Sequence, residues 1–175
     1  TGSSVRAEIL TVNNGVTLTL TNVDLELRRI AVISGGTLIL KDSKSTTIVN
    51  ENISLAGTMN LSNATLRMNV TSNGFLEIKL NSTAIFIEEL NSNITDGPYN
   101  PGNTYLFYTD AGANVSIKDS VIEYAGGSQL GGGNLPDGLY LNNTINTTIY
   151  NSTLYTSSTV PLSVKNQNGN FLINF

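Results

Sequence analysis

The feature that most constrains this chain is a recurrence: short alternating apolar runs, each closed by Asn or Asp and a small residue, return along most of its length. Gly15, Gly36 and Gly57 are each 21 residues apart, and each precedes such a run. The runs superpose as Leu18-Thr-Leu20-Thr-Asn22, Leu38-Ile-Leu40-Lys-Asp42, Met59-Asn-Leu61-Ser-Asn63, Leu76-Glu-Ile78-Lys-Leu80-Asn81, Val115-Ser-Ile117-Lys-Asp119 and Ile149-Tyr-Asn151. Alternation places Leu18 and Leu20, Met59 and Leu61, or Val115 and Ile117 on one face of a strand. Asn and Asp tolerate the left-handed backbone region and bond their own backbone, so they turn the chain. A second short apolar strand then follows, as at Leu66 and Met68 or Ile122 and Tyr124. One strand, one corner and another strand per repeat make a coil of a β-solenoid, whose equivalent residues stack into ladders. Positions 22, 42, 63, 81, 119 and 151 are expected to form one such corner ladder.

Residues 112–127 and 138–143 resemble coils of the right-handed parallel β-helix family, the pectate-lyase-like solenoids, and the resemblance extends over roughly residues 15–165. It implies an all-β fold, a β-solenoid (right-handed parallel β-helix) of about seven coils. The alternative is an antiparallel β-sandwich or jelly roll with evenly spaced hairpins. Residues 1–14 are expected to form an N-terminal strand available for exchange with a neighbouring subunit, and 15–175 a single β domain. Two stretches lack periodicity: 90–104, with two prolines, and 125–138, with six glycines around Leu130. Both are expected to leave the body as loops. Tyr99, Tyr105 and Tyr108 are either stacking groups for a ligand there or packed side chains.

Composition narrows the chemistry. Histidine and cysteine are both absent, which removes the usual neutral-pH acid–base group, the commonest metal ligand, thiol nucleophiles and disulfides. Charged residues make up 13% of the chain, about half the usual share, and net charge is −4. With nine Lys and Arg spread thinly, no basic stripe is available for nucleic acid. No apolar run reaches the roughly 18–20 residues of a membrane span. The start Thr1-Gly2-Ser3-Ser4 suits a mature chain whose signal has been removed, or an arbitrary boundary in a longer protein.

Ten Asn-x-Ser/Thr acceptors begin at Asn52, Asn60, Asn63, Asn69, Asn81, Asn93, Asn114, Asn142, Asn146 and Asn151. About five would arise by chance from the abundance of Asn, Ser and Thr, so the excess argues for an extracellular, cell-surface glycoprotein with covalently attached glycans. A buried corner Asn cannot carry a sugar, which favours Asn52, Asn69, Asn93 and Asn142 over Asn63, Asn81 and Asn151 as acceptors. In composition the chain resembles glycosylated surface-filament proteins of archaea, the thread and pilus subunits.

For catalysis, the available carboxylates are Glu88, Glu89, Asp96, Asp110, Asp119 and Glu123, with Arg67, Lys79 and Lys118 as cations. Glu88 and Glu89 are adjacent on a strand and so face opposite ways, whereas a glycosidase sets two carboxylates about 5–10 Å apart across a cleft. Glu26, Arg67 and Glu123 share one outward repeat position, with Glu26 and Arg67 two coils apart. Asp96-Gly97 and Asp110 near Gly112 are the only hints of a calcium site, without an EF-hand or repeated Gly-Asp pattern. No catalytic motif, metal or cofactor is expected.

The ends carry the remaining signal. Val5, Ala7 and Ile9 alternate along an N-terminal strand, and Phe171, Ile173 and Phe175 along a C-terminal one. Neither reads as an amphipathic cap, and uncapped solenoid edges invite strand pairing. The expectation is a structural subunit of a filament or surface layer, a homopolymer whose partners are copies of itself. Competing expectations are a carbohydrate-active β-helix enzyme and an adhesin or glycan-binding module acting through the two loops. Nothing selects an isopeptide partner among Lys41, Lys44, Lys79, Lys118 and Lys165.

Overall fold

A computed structural model describes residues 3–42, 46–71, 76–99, 101–126, 138–156, 160–167 and 169–174. They form nineteen strands and no helix. The first coil contributes only β1 (Ser3–Val12). The next runs through β2 (Thr17–Thr21) and the long β3 (Val23–Val32). From there each coil has three strands: β4 (Thr37–Lys41), β5 (Thr46–Val49) and β6 (Ile53–Leu55), then β7 (Thr58–Ser62), β8 (Thr65–Met68) and β9 (Glu77–Leu80). These are followed by β10 (Ile85–Glu89), β11 (Asn93–Asp96) and β12 (Leu106–Thr109), and by β13 (Asn114–Lys118), β14 (Val121–Glu123) and β15 (Leu139–Asn142). The last full coil is β16 (Asn146–Tyr150), β17 (Thr153–Tyr155) and β18 (Leu162–Lys165), after which β19 (Asn170–Asn174) begins another.

Every registered pair is parallel and joins a strand to its counterpart one coil away. The fold is therefore an all-β solenoid, a parallel β-helix, and the antiparallel sandwich is excluded. It has three faces. The first is the seven-stranded sheet β2-β4-β7-β10-β13-β16-β19. The second and third separate on β3, whose first half pairs with β5 and second half with β6, the chain bending at the exposed Arg28 and Arg29. β1 lies along both halves of β3, so residues 3–12 form the opening coil on their own chain.

The core is a set of ladders. On the first face, Leu18, Leu38, Met59, Phe86, Val115, Thr147 and Phe171 follow one another, beside Leu20, Leu40, Leu61, Glu88, Ile117, Ile149 and Ile173. Val5, Leu25, Thr47, Leu66, Ile94, Ile122 and Leu154 run up the second face. Leu10, Ile30, Ile53, Ile78, Phe107, Leu139 and Leu162 run up the third. Phe86 and Phe107 meet edge-to-face across the interior, with centroids 5.3 Å apart. Aliphatic stacks of this kind bury both the side chain and the pleat beneath it, which is where a solenoid finds its stability.

The Asn/Asp corner lies between the first and second faces. Asn22, Asp42, Asn63, Asp119 and Asn151 all have positive φ there, between 45° and 77°. The small residue after it is the fastener. Ser92 Oγ accepts from Ala64 N–H one coil away (3.2 Å), as Ser152 Oγ does from Ser120 N–H (3.3 Å). Each hydroxyl also donates back to its own coil, Ser92 to Glu89 O and Ser152 to Tyr150 O.

Three expectations need correction. A coil carries three strands, not two, because β6, β9, β12, β15 and β18 form a third face. Asn81 is not in the corner ladder: it follows β9 on that third face, and the ladder position is held by Leu90 and Asn91, with φ of 57° and 61°. The 21-residue glycine spacing does not mark one repeated site either. Gly36 and Gly57 lie one place before the registered Thr37 and Thr58, but the residue in that place on the previous coil is Val16. Gly15 matches Gly35 instead, both left-handed with φ of 74° and 79°.

Candidate functional site: the open ends and the outer surface

At the N-terminal end, β1 has β3 as its strand neighbour and β2 has β4; at the other end β17, β18 and β19 each have one neighbour, β14, β15 and β16. Among the described residues the ladders continue to both rims. Val5 (45% exposed) heads the second-face ladder, and Leu10 and the buried Val12 head those of the third. Phe171 (39%), Ile173, Leu162 and Val164 (44%) close the opposite end. Ala7 is registered with the core residue Leu27, and so points inward. Ile9 is registered with Arg29 and is exposed on the outside, so Leu10 rather than Ile9 continues the inward pattern: the bend at Arg28 and Arg29 breaks strict alternation along β1. Phe175 lies outside the described residues.

Near the N-terminal rim the outer surface carries a chain of exposed ion pairs. Arg6 bridges to Glu26 on the next coil, and Arg28 lies between Glu8 and Glu51. Hydrogen bonds and charge from those carboxylates raise the guanidinium pKa of Arg6 and Arg28. Glu26 thus has a partner one coil away that the repeat register did not single out, while Ile48 separates it from Arg67.

None of the ten sequon asparagines belongs to the core; Asn146 and Asn151 are exposed and the other eight half-buried. The corner asparagines Asn63 and Asn151 lie at the surface rather than in a buried stack, because a left-handed corner turns their side chains outward. Asn52 Oδ1 accepts from Glu77 N–H, Asn69 Nδ2 donates to Asn50 Oδ1, and Asn93 Nδ2 approaches Glu123 at 3.5 Å. Asn114, Asn146 and Asn170 form an amide ladder on the first face, Asn146 Nδ2 donating to Asn114 Oδ1 at 2.8 Å and Asn170 Nδ2 to Asn146 Oδ1 at 3.0 Å.

The carboxylates are dispersed. Glu88 is fully buried in the ladder between Leu61 and Ile117, neither of its oxygens has a hydrogen-bond partner, and burial pushes its pKa well up. Glu89 faces outward, as adjacent strand residues must. Asp96, nearly buried, ties down its own loop by accepting from Gly102 N–H and Thr95 Oγ1. Asp110 pairs with Lys79 at 3.5 Å, and Asp119 accepts from Asn151 Nδ2 at 2.7 Å. Among the described residues no group of three or more Asp or Glu side chains is arranged to hold a metal ion.

Of the proline-rich stretch, 93–96 is β11 and residues 97–105 form the excursion, apart from 100, which is not described. Most of 125–138, including Leu130, lies outside the described residues; Ala125 bridges to Tyr105 and Gly138 leads into β15. The three loop tyrosines do not converge. Tyr105 is buried beneath the loop, Tyr108 donates to Glu77 at 2.8 Å on the third face, and Tyr99 is exposed.

Against known proteins, no family model matches this chain, and neither curated sequences nor solved structures gave a match.

Proposed function

We propose that this protein is a structural subunit of an extracellular glycosylated filament or surface layer, in which copies join by adding strands to one another's open edges. The observation that carries the reading is the pair of apolar rims, where Val5 and Leu10 at one end and Leu162, Val164, Phe171 and Ile173 at the other extend the core ladders to an exposed edge. Edge strands of this kind are normally charged, bulged or covered; here a further coil is the natural cover. The sequons support the surface location, since all ten asparagines sit off the core, on outward strand positions and corners. The reading includes a right-handed winding, as nearly all parallel crossovers have, kinship with pectate-lyase-like solenoids, and a place among archaeal thread and pilus proteins.

Electron microscopy of the purified protein over a range of concentrations tests assembly: filaments or sheets are expected, and monodisperse particles throughout would overturn it. Intact-glycopeptide mapping of native material tests the location. Glycans are expected first at the exposed Asn146 and Asn151, and ten unmodified sequons would remove that part of the reading.

A further inference from the structure

We infer that this solenoid is a proton-stabilised fold: it persists in strong acid, and ionisation of Glu88 as the medium turns alkaline opens it at the coil of β10, β11 and β12. The inference concerns the interior of one coil and stands apart from how copies assemble.

Glu88 sits inside a continuous apolar ladder, with Leu61 and Ile117 in register on either side. It is fully buried, and neither carboxyl oxygen has a hydrogen-bond partner. The titratable group that feels its charge is Tyr105, also fully buried, whose hydroxyl donates to Ile94 O at 3.4 Å rather than to the carboxyl. The other charges acting on Tyr105 are Glu123 and Asp96, both acidic, and none of the ion pairs among the described residues includes Glu88. A neutral carboxyl is tolerated in such a place, whereas a carboxylate stripped of water and without a cation is not.

The consequence is local. Above the ordinary carboxyl value of 4.5 the unfolded chain releases this proton while the buried group keeps it. The folded-to-unfolded ratio then falls by up to about tenfold per pH unit until Glu88 itself ionises. Because each coil of a solenoid touches only its neighbours, the loss falls on β10, β11 and β12 and on the rungs beside them.

The rest of the chain gives acid little to act on. Acid unfolds proteins by charging buried histidines, by protonating carboxylates that hold the native state, and by accumulating positive charge. Here histidine is absent, and the nine Lys and Arg are about half the number that ordinary usage supplies. Successive coils are joined by parallel backbone pairing, aliphatic ladders, hydroxyls such as Ser92 and amides such as Asn146, none of which titrates in that range. The ion pairs that bridge coils lie at the surface, where such pairs add little. Asp96 is the other buried carboxyl among the described residues, and its bonds to Gly102 N–H and Thr95 Oγ1 close the excursion at 97–105 rather than a ladder.

Two measurements test the two halves of the inference. Denaturant midpoints of the natural chain, followed by far-ultraviolet circular dichroism, are expected to be at least as high at pH 3 as at pH 7; a lower midpoint at pH 3, or a chain already unfolded there, would overturn acid persistence. Hydrogen exchange from pH 7 to pH 10, corrected for the intrinsic rate at each pH, locates the opening. Protection is expected to fall first, by at least tenfold, in 85–89, 93–96 and 106–109. Glu88→Gln, which cannot ionise, is expected to keep it there, and Glu88→Leu serves the same purpose if the glutamine variant does not fold. Protection that declines evenly along the chain, or equally in the natural and substituted proteins, would overturn Glu88 as the opening point.

Discussion

Glu88 is the residue most at odds with its surroundings. Every other member of its ladder from Leu20 to Ile173 is aliphatic, and its neighbours in register are Leu61 and Ile117. An unpartnered buried carboxyl costs about 1–3 kcal/mol, so Glu88→Leu is expected to stabilise the fold by about that much at neutral pH. The pH dependence has a definite sign. Below the unfolded value near 4.5 both states hold the proton and the group adds no slope. Above it the unfolded chain ionises while the buried carboxyl, its pKa raised by desolvation, stays protonated. Stability of the natural chain therefore falls as pH rises from 4.5 towards the folded pKa, and its deficit against Glu88→Leu widens over that range. Denaturant midpoints of the two proteins at pH 4 to 8 measure it; a gap that stays constant or narrows would contradict the burial of a neutral Glu88.

Ser92 is the opposite case, a buried polar group with every bond used. Ser92→Ala strands Ala64 N–H and is expected to cost about 1–3 kcal/mol, read as a lower thermal or denaturant midpoint. An unchanged midpoint would mean that the corner hydroxyl does not fasten one coil to the next.

At the scale of the coil, successive registered positions Thr17, Thr37, Thr58, Ile85, Asn114, Asn146 and Asn170 are 20, 21, 27, 29, 32 and 24 residues apart. The added length enters mainly between the second and third faces, after β8, β11, β14 and β17, while the Asn/Asp corner stays short. This explains what the sequence disclosed. The run-corner-run unit was legible because its strand, left-handed turn and second strand keep a fixed spacing. The third strand was hidden because its distance from that unit changes from coil to coil. The fourth copy was misplaced onto Leu76–Asn81 because Glu88 breaks the apolar alternation of the true one, Phe86 to Asn91. As for the candidate site, the apolar ends were visible in Val5, Ala7, Phe171 and Ile173. Leu10 was not, since a bend inside one long strand leaves no Gly or Pro to mark it. The corner from the third face back to the first has its own requirement. A Cβ at Gly57 would stand 2.3 Å from Gly36 O and 2.4 Å from Ile33 O, so the backbones of adjacent coils touch there. Gly57→Ala is expected to cost about 1–3 kcal/mol through forced displacement, seen as a reduced melting temperature; full retention would show slack between those coils.

For the molecule as a whole, the assembly proposed above would, with charge this sparse, be a matter of apolar stacking and backbone pairing rather than long-range attraction. The two ends are then chemically separable. Ile173→Asp places a carboxylate on the ladder at the C-terminal rim, where it is half-buried in the free chain and would be enclosed in a joint. An enclosed, unpaired carboxylate is strongly disfavoured, so the variant is expected to fold but not to elongate from that end. Its β1 and β2 edges are untouched, so it still docks onto the C-terminal rim of an unaltered copy. Mixed in at low proportion, it should therefore terminate chains and shorten filaments in measure with its fraction. Val5→Asp, on the opposite rim, should do the same from the other direction. Mixing the two single variants should then give heterodimers, each joined through its one intact rim of either kind, and no longer species. Filament length distributions by electron microscopy and sedimentation of the mixtures read this directly. Unchanged lengths at equal proportions of variant and unaltered protein would show that the growing ends are not these rims.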